Sequence, residues 1–369
     1  MRSHTDDLAD VLRGSFSRRL IADVFHGSER VWQNLPLLSW SLDGSLSREV
    51  KHQGRGTVAY NSVAGESLVP EGTEGILSPF RARLLLLMEI TAGGFTETVT
   101  LGWFRITEVP YARDHFTEVN GVRTVVGSVV DLVFQSLDVD VKRRGFRSEQ
   151  QPPSLTSCYR ELRRISGLPV SETVPDQTIP AAFVYEASSG GRLKAVQALA
   201  GVLGGSAVVD PAGALVVLPN AVGPVVGSLF IGAEGTVTDV PYAVATDEVH
   251  NVVVGTYEDD ERNPIFAVAE VVDGPLSING NYGESTLYHS SPLVKTQDQA
   301  NAAVAYELEL SSGQQSFDVP IQCIINPVWE LGDSLDVQGH VRPLQGRLTG
   351  YSMSDSELMT VTLAASRSL

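Results

Sequence analysis

The chain has 369 residues, more than one ordinary core organises, so two or three domains are expected. Its formal charge of −17, from 27 basic against 44 acidic residues, argues against a basic nucleic-acid grip and against attraction to anionic lipid. Hydrophobic residues at 43% exclude long disordered tracts and allow sizeable cores.

In chain order, Leu8, Val11, Leu12 and Phe16 recur at helical spacing, which predicts a helix within residues 1–17. The start, MRSHTDDLAD, has early acids and no apolar stretch of the signal-peptide kind, so a soluble chain is expected. From 18 to 147 the pattern turns to strands. Asp43-Gly44, between SWSL and SLSREV, predicts a hairpin turn. The run from Leu84 to Ile90, then TAGG, then Val99 to Val109, predicts two strands joined by a Gly-Gly turn. Asn120-Gly121 opens a further strand, Val122 to Val133.

The polar SEQQPPS at 148–154 reads as a boundary. Beyond it, Leu155, Tyr159, Leu162 and Ile165 predict a helix closed by Gly167 and Pro169. A second helix runs from Gly191 to Leu203, with Leu193, Val196, Leu199 and Ala200 on one face. A hairpin follows, its turn set by Pro211 and Gly213. Strands return at Val249–Tyr257 and Phe266–Val272. A helix is expected at Thr296–Leu310, with Ala300, Ala303, Val304 and Leu308 on one face. The ending alternates through Ser334–Val337, Gly346–Met353 and Met359–Ala364. The expected fold class is β-rich α+β. Its regions are a helix in 1–17, a β region 18–147, an α+β module 148–224, and a β region 225–369 with a helix inserted near 296–310.

Local grammar for chemistry is missing. His4, His26, His52, His115, His250, His289 and His340 show no HxH or HExxH spacing, which argues against a zinc helix. GRGTVAY at 54–60 lacks the third glycine of a dinucleotide loop, and no GxxxxGK[ST] occurs. Gly350-Tyr351-Ser352-Met353-Ser354 approaches a nucleophile elbow but lacks the closing glycine. The acidic run Glu258, Asp259, Asp260, Glu261 reads as a solvated turn, and Asp138 with Asp140 is not a glycosidase pair by itself. Lys142, Arg143, Arg144 and Arg147 form a patch suited to solvation or to salt bridges between subunits rather than to nucleic-acid contact, given the overall charge. Cys158 and Cys323, far apart and without CxxC spacing, are expected as buried free thiols. Trp32, Trp40, Trp103 and Trp329 stand beside aliphatics and are expected in cores. No catalytic, cofactor-binding or metal-ligating residue is nominated, and no cofactor is expected.

Four ordered segments resemble the phage tail hub family, the baseplate-hub and tail-tip proteins, most closely siphophage minor tail proteins of the actinobacteriophage kind. They are LGWFRITEVPYARD (101–114) with VVGSVVDLVFQSLD (125–138), which carries Asp131; LKAVQALAGVLGGSAVVDPAGALVVLP (193–219); DEVHNVVVGTY (247–257), which carries Asn251; and INPVWELGDSLDVQ (325–338), which carries Asn326, Pro327, Gly332 and Asp333. The resemblance implies two tube-type β-barrel domains, at 18–147 and 225–369, flanking the module at 148–224. It implies a non-enzymatic structural protein of the virion tail tip, assembled in the host cytoplasm. The protein would form a homotrimeric ring between the distal tail ring or tail tube and tip or fibre proteins, with DNA only in transit through the lumen. A tail-associated peptidoglycan hydrolase using dispersed Glu and His, and a receptor- or carbohydrate-binding tail module, are the alternatives.

Overall fold

The computed structural model describes residues 1–62, 65–119, 121–181, 183–232, 235–241, 249–259, 261–291, 294–339 and 344–368. Helix α1 (Asp6–Val11) precedes β1 (Ser17–His26), β2 (Glu29–Pro36), β3 (Leu38–Ser45), β4 (His52–Asn61), β5 (Ala82–Ala92), β6 (Phe95–Val119) and β7 (Val122–Ser136). The middle of the chain holds α2 (Asp138–Lys142), α3 (Cys158–Ser166), α4 (Gly191–Val202), β8 (Gly205–Val209) and β9 (Leu215–Pro219). Then come β10 (Val225–Phe230), β11 (Val237–Asp239), β12 (Val252–Glu258), β13 (Pro264–Glu270), β14 (Thr286–His289) and α5 (Gln297–Gly313). The chain closes with β15 (Gln314–Ile324), β16 (Ser334–Gln338), β17 (Leu344–Ser354) and β18 (Leu358–Ser368).

A 13-stranded sheet runs β11-β15-β18-β17-β3-β4-β7-β6-β5-β1-β2, with β16 paired to β17 and β10 to β16. Strands from the two β-rich regions of the chain therefore meet directly, along the antiparallel β3–β17 ladder. Two smaller sheets, β13-β12-β14 and β8-β9, stand apart from it.

Local chemistry accounts for most element ends. Ser157 caps α3 by accepting from Arg160 N–H at 3.1 Å, and Gly167 ends it in the left-handed region at φ 63°. Gly93 at φ 59° turns β5 into β6, and Gly213 at φ 86° turns β8 into β9, as the glycine spacing predicts. The β6–β7 hairpin forms with Gly121 at φ 77°, while Asn120 lies outside the described residues.

Two expectations need correction. The N-terminal helix covers only Asp6–Val11, because Leu12 and the following turn lead into β1 at Ser17. Asp43-Gly44 is not a turn. Both residues lie inside β3, paired with Gln53 and His52 on one side and with Ser352 and Tyr351 on the other. Gly44 is there for closeness rather than for turning: a Cβ at this position would sit 2.5 Å from the Tyr351 ring.

Among the described residues three apolar clusters are buried. The largest lies on the inner face of the big sheet, where Leu84, Leu86, Met88 and Ile90 of β5 are fully buried with Leu8 of α1. Burying each such side chain contributes about 1.5–3 kcal/mol relative to exposure. Trp40 and Trp329 belong to this core, and Trp32 packs against it. The second cluster joins α3, α4 and β8-β9, with Tyr159, Leu162, Val196 and Leu199 buried; Trp103 packs against it. The third joins α5 to the β12-β13-β14 sheet through Val253, Tyr257, Ala267, Ala300 and Val304. Cys158 and Cys323 are buried free thiols, and burial pushes their pKa values up to about 11 and about 12.

Candidate functional surface

Period-two alternation gives each strand of the big sheet one buried and one solvent-side set of residues. On the solvent side the registers align a single row: Gln322, Thr360, Ser352, Asp43, Gln53, Gln135, Arg105 and Arg83 are successive cross-strand partners on β15, β18, β17, β3, β4, β7, β6 and β5. All are exposed or half-buried. Ser354, Ser41 and Arg55 form a parallel row on β17, β3 and β4. From β15 to β4 the first row offers amides, hydroxyls and one carboxylate, with Arg55 as the flanking cation. Toward β6 and β5 it becomes basic, and there the neighbouring Trp103 packs on the second core.

The rows stay level because the strands approach closely at glycines. A Cβ on Gly54 would lie 2.4 Å from the Phe134 ring and 2.5 Å from the Ser41 carbonyl oxygen. Thr57 donates to Asp131 Oδ1 at 2.7 Å, a cross-strand link between β4 and β7, so Asp131 of the family-like segment serves the ladder.

Behind the row, the joint between the two β regions is held by buried polar groups. Arg2 donates from Nη1 to the carbonyls of Pro327 at 2.6 Å and Trp329 at 2.7 Å, and from Nη2 to Tyr351 Oη at 3.2 Å. His52 is buried beside Tyr351, their rings 5.9 Å apart. Burial first, and then the charges of Arg2 and Lys51, push the His52 pKa down to about 3, so the ring is neutral at physiological pH. Burial raises the pKa of Asp138, whose carboxylate accepts from Lys51 N–H at 2.8 Å and Ser136 Oγ at 2.6 Å.

The other family-like residues are structural fasteners. Asn251, fully buried, donates to Leu276 O at 2.9 Å and Gly283 O at 2.6 Å and accepts from Ser285 N–H at 2.7 Å, which locks the start of β12. Asn326 Oδ1 accepts from Val328 N–H at 3.0 Å, next to Pro327. Gly332 adopts φ 89°, and Asp333 accepts from Glu330 N–H at 2.8 Å and from the Met1 ammonium at 2.6 Å.

Ser352 lies within β17, paired with Thr360 and Asp43, rather than on a strand-to-helix turn. His289 Nδ1 lies 2.8 Å from Tyr257 Oη, and its Nε2 lies 3.8 Å from Glu307, a chain that braces β12, β14 and α5. Among the described residues no three His, Cys, Asp or Glu side chains converge as a metal set, and His340 lies outside them. Within the acidic run, Asp259 accepts from the N–H groups of Glu261 and Asn263, both at 2.8 Å, in the β12–β13 turn; Asp260 lies outside the described residues. The basic patch is partly spent within the chain: Lys142 pairs with Glu49 at 2.6 Å and Arg143 with Asp140 at 4.0 Å. Among the described residues no helix is long and apolar enough to cross a membrane.

No known family model matches the sequence, and no curated protein matches it. Solved structures do match in fold. The chain is similar to the tail protein from Neisseria meningitidis MC58, with TM-score 0.57 and 11% identity over 93% of this chain and 96% of that one. It is similar to the 43 kDa tail protein of prophage MuSo2 from Shewanella oneidensis, with TM-score 0.56 and 10% identity over 94% and 98%. It also matches a chain of the Francisella PdpA-VgrG complex, with TM-score 0.53 and 10% identity over 97% of this chain but 55% of that one. The protein therefore has the fold of phage tail proteins, in agreement with the resemblance of its ordered segments to the tail hub family.

Proposed function

We propose that the protein is a non-enzymatic hub subunit of a phage tail tip, of the siphophage minor tail type. Three copies form a ring, each with tube-type β units at 18–147 and 225–369 around the module at 148–224. The ring joins the distal tail ring to tip or fibre proteins and leaves a channel for DNA.

The observation that carries this reading is the level polar row from β15 to β7, which crosses between the two β-rich parts of the chain. A channel wall has to present a hydrated face that DNA can slide along. Hydroxyls and amides do this, and a bare carboxylate such as Asp43 repels phosphate. Three chains would carry −51 formal charges, three times −17, which works against DNA sticking in transit.

Native mass spectrometry of the purified chain, with electron microscopy of the same sample, tests the reading. A trimer seen as a ring with a central opening is the expected result. A monomer at every concentration, together with absence of the protein from purified virions, overturns it. Clearing of host cell walls in a zymogram would replace it with the hydrolase reading.

A further inference from the structure

Among the described residues, the β13-β12-β14 sheet is covered on one side only. Val253, Tyr257 and Ala267 pack against Ala300 and Val304 of α5. On the other side, Val268 and Tyr288 both pair with Val254, and Phe266 pairs with Thr256. Phe266 and Val268 are each 61% exposed and Tyr288 is 78% exposed. Large apolar side chains gathered on one open sheet face mark an interaction surface. By strand alternation Glu258 of β12 and Glu270 of β13 stand on this same side, both exposed, at the two ends of the run of Val254–Val268 and Thr256–Phe266 pairs. Like charge therefore opposes pairing of this face with itself, and an occupant must bring cations at the rim and apolar surface at the centre.

A region of opposite balance lies in the middle of the chain. Residues 142–215 hold nine cations against six carboxylates, within a chain of net charge −17. Arg147 and Lys194 are exposed there, with no ion-pair partner among the described residues, and Val184 is 47% exposed. We infer that the apolar, acid-rimmed face of β13-β12-β14 docks onto the basic 142–215 region of a second copy of this chain. A contact between two different patches propagates from subunit to subunit and closes into a ring when the rotation permits. This inference rests on the ring reading above and names the surfaces that close the ring.

The test is native mass spectrometry of full-length variants, with circular dichroism and thermal unfolding to establish that each is folded. Phe266→Glu with Val268→Glu should raise the subunit dissociation constant by about tenfold or more. Because that pair also changes residues inside β13, surface charge reversals provide a second route. Glu258→Lys with Glu270→Lys, and separately Arg147→Glu with Lys194→Glu, should each weaken assembly. Combining the two reversals in one chain should restore it, because every contact in the ring then again joins opposite charges. Folded variants that assemble like the parent, or reversals that weaken singly and are not rescued together, overturn the assignment while leaving the ring standing. A parent chain that is monomeric throughout and absent from purified virions sinks the ring reading itself.

Discussion

The 13-stranded sheet and the β13-β12-β14 sheet differ on their open sides. The large sheet buries a continuous apolar layer and turns a row of Ser, Thr, Asp and Gln to solvent along β15, β18, β17, β3 and β4. The β13-β12-β14 sheet buries a small cluster under α5 and turns Phe266, Val268 and Tyr288 outward. A polar face is complete in water, whereas an apolar face is completed by a partner. The difference separates a surface suited to staying wet from one suited to being covered. Each sheet also has its own fastener, glycine approaches in the first and Asn251 in the second, so the two can be perturbed separately.

The largest expected effect is on the big sheet. Gly54→Val drives a side chain into the Phe134 ring and the Ser41 carbonyl, and it should cost about 3 kcal/mol or more in denaturant unfolding. A loss below ~1 kcal/mol would show that the strands can separate, and the level row would lose its basis.

Next, Asn251→Ala strands Ser285 N–H and the carbonyls of Leu276 and Gly283, at about 2–3 kcal/mol. Hydrogen exchange should rise in β12, β13 and β14 and leave β3, β4 and β17 protected. A uniform rise would mean that the two sheets unfold as one unit.

Acid should loosen the joint of the large sheet. The folded-state pKa of His52 is depressed from 6.5 to about 3, so the unfolded chain binds the proton first as pH falls. Stability is then lost progressively below pH 6.5, by about 2 kcal/mol between pH 7 and pH 5 from this group. His52→Gln should flatten that part of the pH profile. An unchanged slope would place the acid sensitivity elsewhere.

The smallest stability effect is expected at the polar row. Asp43→Lys should change unfolding by less than ~0.5 kcal/mol, because the side chain is solvent-facing. The same change should increase retention of DNA on the assembled protein in a low-salt filter assay, and 0.2 M salt should remove the increase. No gain in retention would detach this face from the channel.

Much of the local structure was legible. The helices at α3 and α4, the Gly-Gly turn, the DPAG hairpin and the three closing strands follow from spacing and turn chemistry, which act within a few residues. Asp43-Gly44 misled because the same dipeptide suits a hairpin turn and a close strand approach, and only the Tyr351 ring, some three hundred residues away, selects the second. No residue of the polar row was nominated. Its signal was present as alternating Ser and Thr in SLDGS, YSMS and TVT, but alternation marks a solvent face without saying which strands share it.

By itself the sequence determined the β-rich class, the turn positions that need left-handed backbone, the buried thiols and the acidic balance, all of which depend on composition or on neighbours along the chain. Tertiary structure alone decided that β3 pairs with β17, that the solvent-side residues of distant strands align, and that Phe266, Val268 and Tyr288 gather on one uncovered face. Strand pairing sets these outcomes because a register is chosen by the burial of whole faces, an interaction that no short window of sequence contains.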